Sequence, residues 1–334
     1  MRKAPALTKT QEGQDSLDIF NQLFRHILGE KLHTDVVEFG EEPHVLDVGC
    51  GSSLWPILMA QELETILAPM HLDSRKLSSI TAAYRHIILP EKWVKLAQNF
   101  EGERVLLTRV NSVPQTVTFI PVDIEGKWTD GMLKHAPYDF INCRMMKGSV
   151  KSWSTFYGKI ATHLKHGTGV FEQFEIDWKF KRDSGPIPEA LKKWSNMLHR
   201  AMEEHGMSIR CDPEGTRCML LNNGFNDVQE RAIRLPVNDW QPKNVDKKIG
   251  KWFNTALTET ILPMSQAPLI RTGDSICSVE RIKEINDLIK KASQELKSQA
   301  RTLGVYCMLY IWTARARPLE RQQTHTSDTA TPCS

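Results

Sequence analysis

The segment 44–63 constrains the fold of this chain more than any other stretch of its sequence. A short apolar run at 44–48 has the character of a buried strand, and two glycines, Gly49 and Gly51, follow it. Glycine adopts backbone conformations that a Cβ disfavours, and it lets a ligand approach the main chain closely. From Leu54 onward, apolar residues recur at helical spacing. Strand, turn and helix together predict a cradle of nucleotide size, with amide groups of a helix N-terminus facing the ligand.

The residues around this turn also indicate the charge of the ligand. The third glycine of the dinucleotide fingerprint is missing, because Ser53 and Leu54 stand in its place. Asp47, just before the turn, suits a cationic ligand better than a pyrophosphate. A cationic ligand that contains a nucleoside is S-adenosylmethionine, which the sequence therefore predicts as the cofactor.

Two further acidic residues fit this interpretation. The run 66–72 is typical of a second strand, and Asp73 at its end is placed to accept hydrogen bonds from both ribose hydroxyls. Taken alone, such an aspartate is as readily a solvent-exposed turn residue. The run 117–122 predicts a third strand, followed by Asp123, which can meet the adenine amino group, and Ile124, which can pack on the adenine ring.

Composition excludes several classes of protein. The chain has 334 residues, enough for one well-buried α/β domain with a cap or for two modest domains. Its net charge is +3, with lysine and arginine spread along the chain, which predicts no nucleic-acid partner. The seven cysteines form no Cys-x-x-Cys pair and no zinc spacing with histidine, so we expect no metal and a reducing compartment. No run approaches the roughly twenty apolar residues of a membrane span, so we expect an intracellular protein without a membrane partner.

Alternating strand and helix patterns to about residue 180 predict an α/β fold with a parallel sheet and helices on both faces. Strands are predicted at 44–48, 66–72, 117–122, 138–143, 169–175, 225–235 and 305–314, and helices at 15–32, 54–63, 189–205, 246–262 and 278–301. The last strand is expected to return to the sheet. The helices before it, at about 244–302, are then an insertion that forms a lid over the substrate or packs simply as core.

The remaining segments complete the predicted domain organisation. A single domain is predicted to span 15–318, and the polar residues 1–14 and 319–334 are predicted to be disordered tails. The stretch at about 74–115 is predicted to be an insertion rich in basic and aromatic residues. It could contact a partner or roof the pocket, and a pair of solvated helices is the simpler alternative.

Taken together, these motifs resemble those of class I S-adenosylmethionine-dependent methyltransferases, and more narrowly those of the LaeA-like methyltransferases of fungal secondary metabolism. The segments that carry the resemblance are 14–24, 46–55, 123–128, 139–153, 163–167, 171–177, 235–240 and 314–318. The most particular are 139–153, with its arginine, glycine and tryptophan, and the Glu-Gln-x-Glu-Ile-Asp sequence within 171–177. The resemblance implies a Rossmann-like sheet and S-adenosylmethionine as the cofactor. The residues predicted to bind it are Asp47, Gly49, Gly51, Asp73, Asp123, Ile124 and Arg144.

Two features depart from the family pattern. Ser53 stands where a third glycine is usual, and we expect tighter sterics there rather than a loss of binding. The stretch 74–115 is longer than in the regulators for which this group is named, so a regulatory role does not carry over directly.

The sequence does not identify a catalytic base. Methyl transfer needs an acceptor held in line with the methyl group, and it needs a base only where the acceptor must lose a proton. His163 is one candidate, although a histidine just before a glycine at a helix end is more often a cap or solvated. Glu172 and Glu175 are others, and Glu172 could instead pair with Arg144 in a buried ion pair.

Three functions are compatible with the sequence. The favoured one is a small-molecule methyltransferase of secondary metabolism, because aromatic residues after the sheet could line an apolar pocket for the acceptor: Trp178, Phe180, Trp240, Trp252 and Phe253. The alternative is a regulatory methyltransferase that acts with protein partners, for which the resemblance implies proteins of the velvet type. The third is a binding module without activity, which the acidic residues Asp73 and Asp123 argue against. Either methyltransferase is expected in the cytoplasm or the nucleus.

Overall fold

The computed structural model describes residues 11–67, 79–84, 113–128, 133, 136–272 and 275–319. The strands are β1 (His44–Val48), β2 (Ser79–Tyr84), β3 (Val117–Pro121), β4 (Phe140–Arg144), β5 (Val170–Arg182), β6 (Phe225–Pro236), β7 (Arg271–Thr272), β8 (Ser275–Ile276) and β9 (Val305–Ala316). The helices are α1 (Gln11–Ile27), α2 (Leu54–Leu67), α3 (Trp153–His163), α4 (Glu189–Glu204), α5 (Pro213–Asn222), α6 (Asn244–Ile270), α7 (Val279–Leu296) and α8 (Gln299–Thr302).

Seven of the strands form one twisted sheet in the order β3-β2-β1-β4-β5-β9-β6. The first five are parallel, and β9 runs antiparallel between β5 and β6. The predicted α/β fold and the return of the last strand to the sheet are therefore confirmed. The central strands β1 and β4 are almost wholly buried, as expected for parallel strands covered on both faces.

Helices cover both faces of this sheet. On one face, α1, α4, α6 and α7 share a core cluster with alternate residues of β5 and β9. On the other face, α3 and α5 pack over β4, β5 and β6. A third cluster lies around α2 and joins it to β1, β2 and Phe140. The carboxyl ends of the parallel strands are the edge at which the candidate site lies.

The second strand is not where the sequence pattern placed it. Ile66 and Leu67, the first residues of the predicted strand 66–72, are the last residues of α2. The strand that pairs with β1 is β2, at 79–84. A short apolar run does not distinguish a strand from the end of a buried helix, and here the helix continues. Because β2 lies inside the predicted insertion 74–115, an insertion between β2 and β3 can begin no earlier than residue 85. Residues 85–112 lie outside the described ranges.

Other boundaries also differ from the predictions. Residues 11–14 belong to α1 instead of a tail, while 1–10 and 320–334 lie outside the described residues. Three helices precede the last strand where two were predicted, because the predicted helix 278–301 is divided into α7 and the short α8. Helix α6 is 27 residues long and continues past two prolines. The sequence pattern did not predict α5 or the short hairpin of β7 and β8. Within the described part of the chain, none of the helices combines the length and apolar character that crossing a bilayer demands.

Candidate active site

The glycine turn after β1 packs closely against neighbouring elements. Gly49 and Gly51 have φ angles of +78° and +55°, in the left-handed region. A Cβ on Gly49 would lie 2.3 Å from Sδ of Met146, and a Cβ on Gly51 would lie 3.1 Å from Cδ1 of Leu17. Both positions therefore need glycine for backbone conformation and for space. The loop after β4 and helix α1 thus form the walls of the turn.

Ser53 occupies a strained position at the end of this turn. Its φ angle is +66°, a conformation that costs a residue with a Cβ about 1–2 kcal/mol. Its amide donates to the carbonyl of Cys50 at 2.8 Å, which closes the turn before α2 begins. The tighter sterics that we expected in place of the third glycine are therefore backbone strain at Ser53.

Asp47 lies at the carboxyl end of β1, two residues before Gly49, with only 4% of its surface exposed. Its Oδ1 accepts a hydrogen bond of 2.7 Å from Nδ2 of Asn142 on β4. Burial raises the pKa of Asp47 to about 6, although this hydrogen bond and the charge of Arg144 oppose the shift. The hydrogen bond and the charge of Arg144 offset only part of the cost of burying this carboxylate, so the site favours a cationic ligand.

Arg144 ends β4 and projects into the same network. Its Nε donates to Oδ1 of Asn142 at 3.2 Å, and its Nη2 donates to the carbonyl of Leu32. The guanidinium carbon lies near three aromatic ring centres, at 4.8 Å from Phe174, 5.1 Å from Trp55 and 5.8 Å from Phe24. Burial lowers the pKa of Arg144 to about 10, against the opposing charges of Glu172 and Asp47. Two hydrogen bonds and three aromatic rings therefore fix the orientation of the guanidinium.

Glu172 on β5 anchors the chain that follows α1. Its Oε2 accepts a hydrogen bond of 2.8 Å from the amide of Thr34, and the residue is fully buried. Burial raises the pKa of Glu172, although the charge of Arg144 opposes this. Within the described residues, no hydrogen bond or ion pair within 4.0 Å joins these two side chains, so the hypothesis of a direct pair is wrong. The carbonyl of Leu32 also accepts from Nε1 of Trp55 at 2.8 Å, which ties the same segment to α2.

The segment after β3 lies at the same edge of the sheet. Asp123 is exposed, and its Oδ1 accepts a hydrogen bond from the amide of Glu125 at 3.1 Å. Ile124 is buried, and its carbonyl accepts from Nζ of Lys159 at 2.9 Å. The carboxylate of Glu125 accepts from the amide of Lys151, which joins this segment to the loop after β4. These contacts fix the segment at the carboxyl edge of the sheet, and the predicted contacts of Asp123 and Ile124 with adenine stay a prediction.

Asp73 lies outside the described residues. It precedes β2 in the chain, whereas the interpretation as a ribose ligand assumed that it follows the second strand. The carboxyl end of β2 is Tyr84. A role for Asp73 therefore stays a prediction, without the strand position that motivated it.

Neither His163 nor Glu175 is a free base at the carboxyl edge of the sheet. His163 ends α3, and its carbonyl accepts from the amide of Tyr138, which precedes β4. Because α3 runs back along the sheet, His163 lies at the amino edge, opposite the site. Glu175 is buried and accepts hydrogen bonds from the amides of Met146 and Lys147, both at 3.1 Å. Burial raises its pKa to about 7, and its hydrogen bonds give it the role of holding the loop after β4.

The sequence pattern missed Asn142 and Met146, and it named Glu172 without its positioning role. Asn142 orients Asp47, and Met146 covers Gly49. The segment after α1 is held by two contacts, the bond of Glu172 to the amide of Thr34 and the bond of Arg144 to the carbonyl of Leu32. One signal was available, since Asn142 and Arg144 alternate as polar residues in an apolar strand and must share a face. In the described ranges, no group of three or more histidines, cysteines or acidic residues could hold a metal ion.

A family model described as a methyltransferase domain matches residues 22–230. This span begins in α1, contains the glycine turn and the Asp47–Asn142–Arg144 network, and ends within β6. The chain is a methyltransferase by class.

Curated relatives narrow this class. The chain is 52% identical over 316 residues to the secondary metabolism regulator LAE1 of Pyricularia oryzae, covering 95% of this chain and 86% of the relative. It is 32% identical over 307 residues to the LAE1 regulator of Cochliobolus heterostrophus, covering 90% and 86%. The chain belongs to the LaeA-like methyltransferase family.

Solved structures of similar fold share less sequence. The [4+2]-cyclase SpnF matches with a TM-score of 0.48 and 13% identity, covering 95% of this chain and all of that one. Phosphoethanolamine N-methyltransferase 2 of Haemonchus contortus, solved with S-adenosylhomocysteine, matches with a TM-score of 0.47 and 12% identity. The match covers 95% of this chain and 61% of that enzyme.

Proposed function

We propose that this protein uses S-adenosylmethionine to methylate an acceptor in the regulation of secondary metabolism. The observation that carries the regulatory role is the 52% identity to a relative named as a secondary metabolism regulator, over nearly the whole of both chains. The observation that supports the cofactor is the glycine turn at the carboxyl edge of the sheet, which lies beside a buried carboxylate.

The residues at the carboxyl edge fit this cofactor in charge. Gly51 is exposed in the turn, and Asp47 offers a negative charge to a cation. Asp123 and Ile124 would hold the adenine end. The cofactor supplies a methyl group on a positively charged sulfur, which a nucleophile can displace. The protein's part is to bind, to align the acceptor and to exclude water.

The sequence argument for a small-molecule acceptor rested on five aromatic residues, of which three lie in the core and two, Trp240 and Trp252, are half-buried. Trp178, Phe180 and Phe253, expected to line an apolar pocket, are buried in the core cluster formed by α1, α4, α6 and α7. Trp178 packs edge-on against Phe20 at 5.9 Å between ring centres. Trp240 is half-buried, and its Nε1 donates to the carbonyl of Val305. Protein partners of the velvet type and a cytoplasmic or nuclear location stay predictions.

A complementation experiment tests the regulatory role. A Pyricularia oryzae strain that lacks its own LAE1 regulator would receive this chain, its Gly51→Val variant or its Gly29→Ala variant. The intact chain and Gly29→Ala should restore transcripts of several biosynthetic gene clusters, and Gly51→Val should not, because a branched side chain crowds the turn. Gly29 is a matched control, since a Cβ there would meet nothing within 4 Å.

The same strains distinguish the small-molecule alternative. A tailoring enzyme would change one metabolite without restoring transcripts. In parallel, purified protein with cofactor labelled on the methyl group would be incubated with a cell extract, which is then separated into metabolites and macromolecules. Label in macromolecules supports the regulatory role, and label confined to metabolites contradicts it.

A further inference from the structure

A row of polar side chains lies buried on one face of the sheet. Asp47 on β1, Asn142 on β4 and Glu172 on β5 are direct register partners across three neighbouring strands. Arg144 lies two residues beyond Asn142 and so shares this face. Asn142 and Glu172 are fully buried, and Asp47 nearly so. The row therefore contains two carboxylates and one guanidinium beneath α1 and the segment after it.

The hydrogen bonds of Arg144 leave one end of its guanidinium free. Asn142 and the carbonyl of Leu32 take Nε and Nη2, while Nη1 is buried and has no hydrogen-bond partner among the described residues. A buried donor without a partner costs about 1–3 kcal/mol, and more when it is charged. The stacked rings and the two bonds fix the orientation of the guanidinium, so this donor is pre-organised.

The backbone of Arg144 lies beside the glycine turn. Val48 and Cys143 are the last register partners of β1 and β4, so Gly49 and Arg144 follow as the next residues at the same edge. Asp47, one strand away, supplies a negative charge within the same network. The edge therefore offers one cationic and one anionic group side by side. A ligand that carries a carboxylate and an ammonium on one carbon complements both charges.

We propose that the free Nη1 of Arg144 donates to the α-carboxylate at the amino-acid end of S-adenosylmethionine. The α-ammonium then lies toward Asp47, whose orientation Asn142 fixes. Glu172 is a positioning residue in this arrangement, since it holds the segment that bonds Arg144. This assignment rests on the proposed function.

Calorimetry with two ligands tests the assignment. S-adenosylhomocysteine has the amino-acid end, whereas 5′-methylthioadenosine has the same nucleoside and sulfur without it. Arg144→Met should weaken binding of S-adenosylhomocysteine by about tenfold to a hundredfold, because it removes a charge-assisted hydrogen bond. Binding of 5′-methylthioadenosine should change by less than about twofold, and Arg144→Lys should recover part of the loss.

Arg234→Met is the matched control, because Arg234 is also stacked on a ring but lies on the edge strand β6, far from the turn. It should leave the affinity for both ligands unchanged. Equal weakening of both ligands by Arg144→Met would show that Arg144 only supports the fold, and unchanged affinity for both would show that it does not contact the ligand. Either result overturns the assignment.

A second measurement does not depend on the variants' folding. The unaltered protein should bind the α-carboxamide of S-adenosylhomocysteine at least about tenfold more weakly than the acid. Equal affinity for the amide and the acid would overturn the assignment even if Arg144→Met failed to fold. Failure of the unaltered protein to bind S-adenosylhomocysteine and 5′-methylthioadenosine would instead contradict the proposed cofactor.

Discussion

Replacing Gly49 by alanine should destabilise the protein through two separable effects. The first is the left-handed backbone at φ +78°, which costs alanine about 1–2 kcal/mol. The second is overlap of the new Cβ with Sδ of Met146, 2.3 Å away, and forced overlap in a packed site costs about 1–3 kcal/mol. The free energy of unfolding should therefore fall by about 2–5 kcal/mol, measured by urea denaturation.

Gly29→Ala isolates the backbone effect. Gly29 has a φ angle of +67°, and a Cβ there would meet no atom within 4 Å. Gly49→Ala and Gly29→Ala restrict the unfolded chain equally. The difference between their losses in free energy of unfolding therefore measures the overlap with Met146. We expect Gly29→Ala to cost about 1–2 kcal/mol and no more.

A double-mutant cycle completes the test. Met146→Ala removes the overlapping sulfur, so it should cost less stability in the Gly49→Ala background than in the native one. The coupling energy should be about 1–3 kcal/mol. If Gly49→Ala costs no more than Gly29→Ala, or if the two changes at 49 and 146 are additive, the close approach of the loop to the turn is refuted.

Three further changes test other parts of the structure. Ser53→Gly should raise the free energy of unfolding by about 0.5–1 kcal/mol, because glycine removes the backbone strain at φ +66°. The larger conformational entropy that glycine loses on folding offsets only part of this gain. Glu175 has a folded-state pKa of about 7 against an ordinary value of 4.5, so the folded protein binds its proton more tightly. Stability should therefore fall as pH rises from about 4.5 to about 7, and Glu175→Gln should remove up to about 3 kcal/mol of that fall. Ser265→Ala should cost about 1–3 kcal/mol, because Nε1 of buried Trp194 loses its 2.7 Å partner.

Thermal and urea denaturation decide each of these predictions. A loss of stability in Ser53→Gly would mean that the left-handed serine is not strained. An unchanged slope of stability against pH in Glu175→Gln would mean that Glu175 titrates near its ordinary pKa even when buried. A Ser265→Ala variant as stable as the native chain would mean that the indole N–H finds another partner.

The sequence pattern predicted the fold class and most strands because hydrophobic periodicity records which faces are buried. The strand before Gly49 and the final strand were predicted within two residues of their observed ends. The second strand was misplaced because the apolar residues at 66–72 fit a helix end and a strand equally well. Only pairing with β1 distinguishes the two, and pairing is not a local property of the sequence.

The candidate site shows a similar division. Gly49, Gly51 and Asp47 belong to one contiguous motif, so the sequence could place them together. The bond of Asn142 to Asp47 and that of Thr34 to Glu172 join residues 95 and 138 positions apart. These contacts depend on strand register and on the path of the chain after α1. The sequence likewise offered Trp178 and Phe253 as aromatic residues for a pocket, but it could not distinguish a pocket wall from core.

The place of β9 between β5 and β6 has a consequence for synthesis of the protein. The strand is buried along nearly its whole length and supplies the inner pairing edge of both neighbours. While the ribosome is still making residues before 305, β5 and β6 have been translated but cannot pair with each other through β9. A nascent chain at that stage exposes one edge of β5 and both edges of β6, which other chains could pair with. Chaperone binding during late translation should therefore protect this region, and release should follow only when residues 305–316 leave the exit tunnel.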